Sequence, residues 1–424
     1  MSPTSSGPTS SGPTSYGPTA LLVSPLLPAE GGNGLAMRAG AFLDALAADH
    51  GVTLLVVPVA GGGELTGFVR RRVHRSTVLP LEGALDPLFS LGARLLDPAA
   101  LLAALRAYPR PAPSRWATTP ALERGVAAAG GVRFDTLVVL RSYLAPYAAP
   151  FLDGSTRRLL DLDDDERLTQ TRLSDLHARR GQPEAALLAA AEAGKYAAHE
   201  HLWLPRFDLV AASSEVHAAA VRERFPDLRV EIVPNTVEVP ESVRRDARSP
   251  TLRLLFVGNL GYEPNVDAAL LIAREVVPRL RQGGAPVELR IAGSRPVAEV
   301  AALAGPGIEV HADPIDLAPH YAWTDLALAP IRAGGGTRIK ILEAFAARVP
   351  VVATPIGAEG LAVRDGEHLL LAGDEDGLAA ACRRIKDDET LAARLTVNAL
   401  DLVRERYSRP VGRRILRALL ERDA

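Results

Sequence analysis

Residues 325–343 read Asp-Leu-Ala-Leu-Ala-Pro-Ile-Arg-Ala-Gly-Gly-Gly-Thr-Arg-Ile-Lys-Ile-Leu-Glu, and the rest of the chain is read outward from them. The apolar run from Leu326 to Ile331 predicts a buried strand. Gly334, Gly335 and Gly336 follow, and then a helical pattern places Ile339, Leu342, Phe345 and Ala346 on one face. The unit is strand, glycine loop, helix. Glycines let backbone N–H groups come close to a ligand, and a helix start offers unpaired donors and a positive dipole end. Arg338 and Lys340 add two cations to that first turn, where helix stability favours carboxylates. Such a turn suits an anion. Glu343, three residues after Lys340, lies within reach of it and would suit sugar hydroxyls beside a phosphate. The plainer reading is a glycine turn before a solvated helix with an ordinary Lys–Glu pair. No Gly-x-x-x-x-Gly-Lys-Ser/Thr loop is present.

Residues 325–330, 334–343 and 350–361 together closely resemble the donor half of family 4 glycosyltransferases. The resemblance runs from about Leu252 to Tyr407 and extends more weakly over the N-terminal half. It implies an α/β chain of the GT-B fold, with two Rossmann-like parallel-sheet domains facing a cleft. It also implies a retaining enzyme whose leaving group is a nucleoside diphosphate, with no bound metal and no cofactor. Under it, Gly334, Gly335, Gly336, Thr337, Arg338 and Lys340 receive the diphosphate, and Arg338 and Lys340 stabilise its growing charge. Glu343 matches the second Glu of the family's Glu-x7-Glu pair, which holds the ribose. The first Glu of that pair falls on Gly335, a departure that removes a donor-sugar contact.

Composition sets broad limits. The chain has 424 residues, enough for two or three domains, with 47% hydrophobic and 23% charged residues. A net charge of −2 gives no field favouring nucleic acid. The single cysteine, Cys382, cannot form an internal disulfide and fits a reducing cytoplasm. No apolar run reaches the roughly 18 residues of a membrane span, and no basic n-region of a signal peptide precedes residues 20–28.

Taken in order, residues 1–19 repeat Ser-Ser-Gly-Pro-Thr and predict a disordered tail. A strand at 20–23, a loop at 28–34 and a helix at 35–48 open an N-terminal domain over 20–240. The resemblance assigns this domain to the acceptor and lays Gly31, Gly32 and Asn33 under the donor diphosphate. A second strand follows at 52–57. Arg70, Arg71, Arg72, His74 and Arg75 form a basic cluster, either a solvated face or a contact for an anionic acceptor or lipid headgroup at a membrane surface. The strand at 134–140 ends beside Arg141 and Tyr143, candidate acceptor contacts.

Residues 158–166, Arg-Arg-Leu-Leu-Asp-Leu-Asp-Asp-Asp-Glu, hold five carboxylates. Three readings stay open: a metal-binding Asp-x-Asp, an acceptor-side polar wall, or an acidic first turn of the next helix. In relatives this neighbourhood carries the polar group nearest the reacting carbon, which nominates Asp163 and Asp164.

Residues 184–204 predict a helix, 207–215 a strand entering a helix, and 230–237 the last strand of this half. Residues 238–250 read as a linker. A donor domain over 250–407 then starts with a strand at 252–257, a loop at 258–265 and a helix at 266–280 with Asn265 as its N-cap. Gly258, Asn259 and Asn265 match the diphosphate-facing loop of relatives, without its usual basic residue. Further strands are expected at 287–292, 308–312, 351–354 and 368–371, with helices at 374–386 and 389–406. Residues 408–424 should form a helix crossing back to the N-terminal domain. The resulting expectation is sugar transfer from a nucleotide sugar to a small-molecule, lipid or glycan acceptor. Alternatives are another GT-B enzyme, such as a pseudo-glycosyltransferase or sugar-nucleotide epimerase, or an inactive homologue that binds a partner.

Overall fold

The computed structural model describes residues 17–421 except 248, 283, 285 and 337. The repeat-rich tail up to residue 16 and Thr337 therefore lie outside the described residues. Seven strands form the first sheet: β1 (Thr19–Ser24), β2 (Gly51–Val56), β3 (Arg75–Val78), β4 (Phe134–Leu140), β5 (Ser155–Asp161), β6 (Leu209–Ala212) and β7 (Val230–Ile232). Their spatial order is β3-β2-β1-β4-β5-β6-β7, and every pairing is parallel. Six strands form the second sheet: β8 (Leu252–Val257), β9 (Val287–Gly293), β10 (Ile308–Ala312), β11 (Leu326–Ala329), β12 (Val351–Ala353) and β13 (Leu370–Leu371). The order is β10-β9-β8-β11-β12-β13, again all parallel.

Both sheets are apolar on two faces, as parallel sheets covered by crossover helices must be. In β1, Leu21 and Val23 join one cluster and Ala20 and Leu22 the opposite one. In β8, Leu254 and Phe256 face one way while Leu255 and Val257 face the other. Each sheet reverses strand order once, between β1 and β4 and between β8 and β11. A crevice opens at the carboxyl ends of strands at such reversals. The loops leaving β1, β4, β8 and β11 begin near residues 25, 141, 258 and 330, so all four converge on the space between the sheets.

Six helices matter for the site: α1 (Gly34–Leu46), α2 (Glu166–Arg179), α3 (Pro183–Trp203), α4 (Glu263–Leu271), α5 (Ile339–Ala346) and α6 (Arg409–Glu421). Asn33 caps α1, its side chain accepting from the amides of Leu35 and Ala36. Helix α6 returns from the second domain to the first. Its Leu416 and Leu419 enter the first domain's core, Arg413 meets Asp44 at 3.1 Å, and Arg157 donates to the carbonyls of Leu419 and Leu420.

Two local expectations are corrected. Helix α4 starts at Glu263 with Tyr262 as N-cap, because Pro264 is accepted in the first turn. Asn265 is therefore inside the helix and free to act elsewhere. Residues 62–125, which carry no clear periodicity, contain β3 and helices at Gly67–Arg70, Pro87–Gly92, Pro98–Ala107 and Thr119–Ala129. Of the basic cluster, Arg72 pairs with Asp44 at 2.8 Å and stacks on Phe68, and Arg75 opens β3.

Candidate active site between the two switch points

On the second domain, the chain leaves β11, turns through Gly334–Gly336 and enters α5 with Arg338 at the N-cap. Lys340 does not pair with Glu343, and no such ion pair occurs among the described residues. Its ammonium donates to Asn265 Oδ1 at 2.6 Å and lies 4.4 Å from the Phe256 ring centroid. Asn265 Nδ2 in turn donates to the Asn259 carbonyl at 2.9 Å, and Gly258 packs against both side chains. The β8 loop thus supplies no charge of its own but positions the lysine. Burial, reinforced by Arg338, lowers the Lys340 ammonium to about 7. Burial raises Glu343 to about 7, and the Tyr321 hydroxyl stands 3.5 Å from its Oε2.

Arg338 is held with few partners. One guanidinium nitrogen lies 3.4 Å from the Ala333 carbonyl, and Nε is buried with no acceptor. Burial lowers its pKa, with Asp164 of the other domain as the main opposing charge. Ile339, the first residue of α5, abuts the first domain's opening loop at Gly34. A Cβ on Gly34 would stand 2.5 Å from Ile339 Cδ1, so a side chain there would push the Ile339 methyl aside.

On the first domain the carboxylates of 161–166 are engaged by arginines. Arg38 makes a bidentate pair with Asp161, both bonds 2.6 Å, and also donates to the Val233 carbonyl and to Asn235 Oδ1. Asn235 donates to Asp163 at 3.0 Å. Arg141 reaches Asp163 at 3.0 Å and Glu166 at 2.5 Å. Burial pushes Asp161 up against the pull of Arg38, and pushes Glu166 up to about 7. Arg141 and Asp163 both adopt positive φ, 72° and 58°, a left-handed conformation rare for such residues. Strain of this kind persists where surroundings over-determine it, as this network does.

Of the three readings of 158–166, the acidic first turn is seen directly: Asp165 caps α2 by accepting from the Leu168 amide. An Asp-x-Asp metal site is disfavoured by the donor set, because Asp161 and Asp163 already accept from guanidiniums. Asp164 faces the other domain, accepting from Thr169 Oγ1 at 3.0 Å and lying against Gly335 and Gly336. Arg141 is spent inside this network, and Tyr143 is buried in the first domain's core. Both candidate acceptor contacts thus sit beneath the surface rather than on it.

A cleft of about 860 Å³ lies between the domains. Gly31, Gly32, Val237, Tyr321, Glu343 and the linker residue Glu238 line it. Glu343 and the first loop therefore share one space, but Arg338 and Lys340 are not part of its wall. Sequence reasoning missed Arg172 of α2. It donates to the Gly334 carbonyl at 2.7 Å and pairs in a fork with Glu359 at 2.5 and 2.9 Å.

Comparison with known proteins fits this geometry. Residues 251–388 match the family described as Glycosyl transferases group 1. A phosphatidyl-myo-inositol mannosyltransferase of Mycobacterium leprae is 28% identical over 201 residues, 43% of this chain and 53% of that protein. An uncharacterized 44.6 kDa protein in the cps region of Klebsiella pneumoniae is 27% identical over 163 residues, 36% of this chain and 42% of that protein. The matches thus span about half the length of these curated relatives. In fold, the chain resembles sucrose-phosphate synthase of Thermosynechococcus elongatus, with TM-score 0.64 and 16% identity over 95% of this chain and 98% of that one. It also resembles Anabaena HepE, solved with UDP and glucose, with TM-score 0.61 and 14% identity over 95% of this chain and 100% of that one. Both sheets, their reversals and the likeness to these structures give the chain the two-domain GT-B fold, and its residues 251–388 match the group 1 glycosyltransferase family.

Proposed function

We propose that the protein is a retaining glycosyltransferase that moves a sugar from a nucleoside-diphosphate sugar to an acceptor held by its N-terminal domain. One observation carries this reading: two desolvated cations, Arg338 and Lys340, stand at the opening of α5 with few hydrogen bonds, Arg338 opposite Asp164 of the first domain and Lys340 against Asn265 of the β8 loop.

Negative charge grows on the diphosphate as the glycosidic bond breaks. Cations, loop amides and a helix dipole already aimed at that position stabilise the charge without reorganising. The diphosphate returns Lys340 towards its ordinary basicity. Glu343, at the cleft wall, accepts from the ribose hydroxyls when ionised. Asp164 borders the reacting carbon from the other side, whereas Asp163 is held in the shape-keeping network by Arg141 and Asn235. In retention by front-face attack, the departing phosphate takes the acceptor proton, so no protein nucleophile is assigned. The arginine-bound carboxylates leave transfer independent of a divalent metal. No helix among the described residues is long and apolar enough to cross a membrane. With the lone cysteine free and buried, we assign the protein to a reducing cytoplasm.

The test is a panel of UDP-, GDP-, ADP- and dTDP-sugars assayed for hydrolysis and transfer, with the product's anomeric configuration read by NMR. Turnover of one donor with retention is expected. Binding of no nucleotide, or inversion, contradicts the reading.

A further inference from the structure

We propose that Arg172 is a positioning residue that latches helix α2 of the first domain onto the glycine loop of the second, closing the protein over the diphosphate end of its donor. This rests on the donor reading above for its chemistry, though not for its geometry.

One face of α2 lies along the donor loop. Asp165, Thr169, Arg172, Leu176 and Arg180 recur at helical spacing and each reaches the other domain or the residues touching it. A Cβ on Gly335 would stand 2.6 Å from the Asp165 carbonyl and 3.0 Å from Thr169 Oγ1, so α2 sits directly on that residue. Arg172 holds the Gly334 carbonyl and the Glu359 carboxylate at once. Leu176 packs with Leu173, Ala189 and Ala333 in a small apolar cluster joining the domains. Arg180, just beyond the helix, pairs with Glu263 at 2.5 Å and reaches Glu299 at 3.3 Å.

The Arg172 and Glu359 side chains are only 18% and 29% exposed. Their planar fork gives both strength and a fixed direction. Because Arg172 bonds the carbonyl of Gly334, it fixes the glycine loop that leads into α5. The cleft reaches Glu343 while the two cations lie outside its wall. A diphosphate therefore enters with α2 lifted, and re-forming the Arg172 fork restores the enclosed state. An enclosed site excludes water and completes the charge-stabilising set, the usual work of domain closure in transfer enzymes.

The test uses the full chain with Arg172→Glu, Glu359→Arg, the two together, and Arg172→Lys. Radius of gyration by small-angle scattering is read without any donor. Each single charge reversal should expand the protein, and the double reversal should restore compactness. With the active donor, kcat should fall at least about thirtyfold in each reversal and recover at least about fivefold in the double over Arg172→Glu alone, short of wild type because a carboxylate at 172 cannot donate to the Gly334 carbonyl, with Arg172→Lys intermediate. The dissociation constant for the nucleoside diphosphate should change less than about threefold, because Arg172 grips the loop rather than the anion. Reversals that lower melting temperature but leave compactness and kcat at wild-type values would overturn the latch, as would a loss confined to nucleotide affinity. If no nucleoside diphosphate binds the wild-type protein, the donor reading falls while the scattering series still decides the latch.

Discussion

The two switch points handle buried charge in opposite ways. At the first, Arg38 makes four hydrogen bonds, and the carboxylates of Asp161 and Asp163 are held by Arg38, Arg141 and Asn235. At the second, Arg338 has one long bond, 3.4 Å, to the Ala333 carbonyl and no carboxylate ion pair among the described residues, and Lys340 leans on one neutral amide oxygen with its ammonium lowered to about 7. A buried charge with its partners in place is structural, whereas one left short of partners is costly unless something else supplies them. The difference assigns the first network to holding shape and the second pair to holding a ligand. Losses in the first should therefore appear as stability, and losses in the second as rate.

The largest effect is expected on rate. Lys340→Ala should reduce turnover of the active donor by about 10²–10³-fold, the range for removing one preorganised charge-stabilising donor. Its melting temperature should stay near the wild-type value or rise slightly, since a desolvated cation is removed. A steady-state assay beside a thermal melt reads both, and near-normal turnover would erase the contrast between the two regions. Next comes stability at the other switch point. Arg38→Ala strands a buried carboxylate, a change that costs about 3–5 kcal/mol, or roughly a 10 °C drop in melting temperature for a domain of this size. Calorimetry finding no drop would move the Arg38 network out of its structural role.

A smaller effect separates the two by pH. In the free protein the lowered Lys340 loses its proton as pH rises through about 7, while a bound diphosphate keeps it charged. Nucleotide binding above pH 7 therefore takes up a proton, and affinity should weaken by up to about tenfold per pH unit. Lys340→Met should abolish that slope. Titration calorimetry in buffers of different ionisation enthalpy measures the uptake, and a slope unchanged in the variant would count against the lysine. The smallest expected effect is none: excess EDTA should leave turnover unchanged. Loss of activity with recovery on adding Mn²⁺ would return the carboxylates of 161–164 to a metal-binding role.

The sequence carried the donor side well because its signals are local. Strands at Leu252–Val257, Val287–Gly293 and Ile308–Ala312 are bounded by their own apolar runs, and the Gly334–Lys340 turn is read from neighbours in the chain. Contacts between distant residues were out of reach. Arg172 and Glu359 are 187 positions apart, and in sequence Arg172 is one polar residue in a polar helix. Lys340 turned to Asn265 instead of Glu343 for the same reason: the alternative partner comes from another strand–helix unit. The 62–125 region stayed opaque because its helices at Pro87–Gly92 and Pro98–Ala107 bury no residue and so leave no periodic apolar stripe. Tyr143, read as an acceptor contact at a strand end, is core because the chain turns inward there through Arg141 at positive φ.

The most direct test of the cationic helix opening is the thermal shift produced by the nucleoside diphosphate that stabilises the wild-type protein most. At a concentration about 100 times its dissociation constant, binding should add about 2.7 kcal/mol of stability. In the Arg338→Met, Lys340→Met double variant, at the same concentration, the account predicts that this shift disappears. A shift of wild-type size in that variant would show that the diphosphate binds elsewhere and would contradict the central claim.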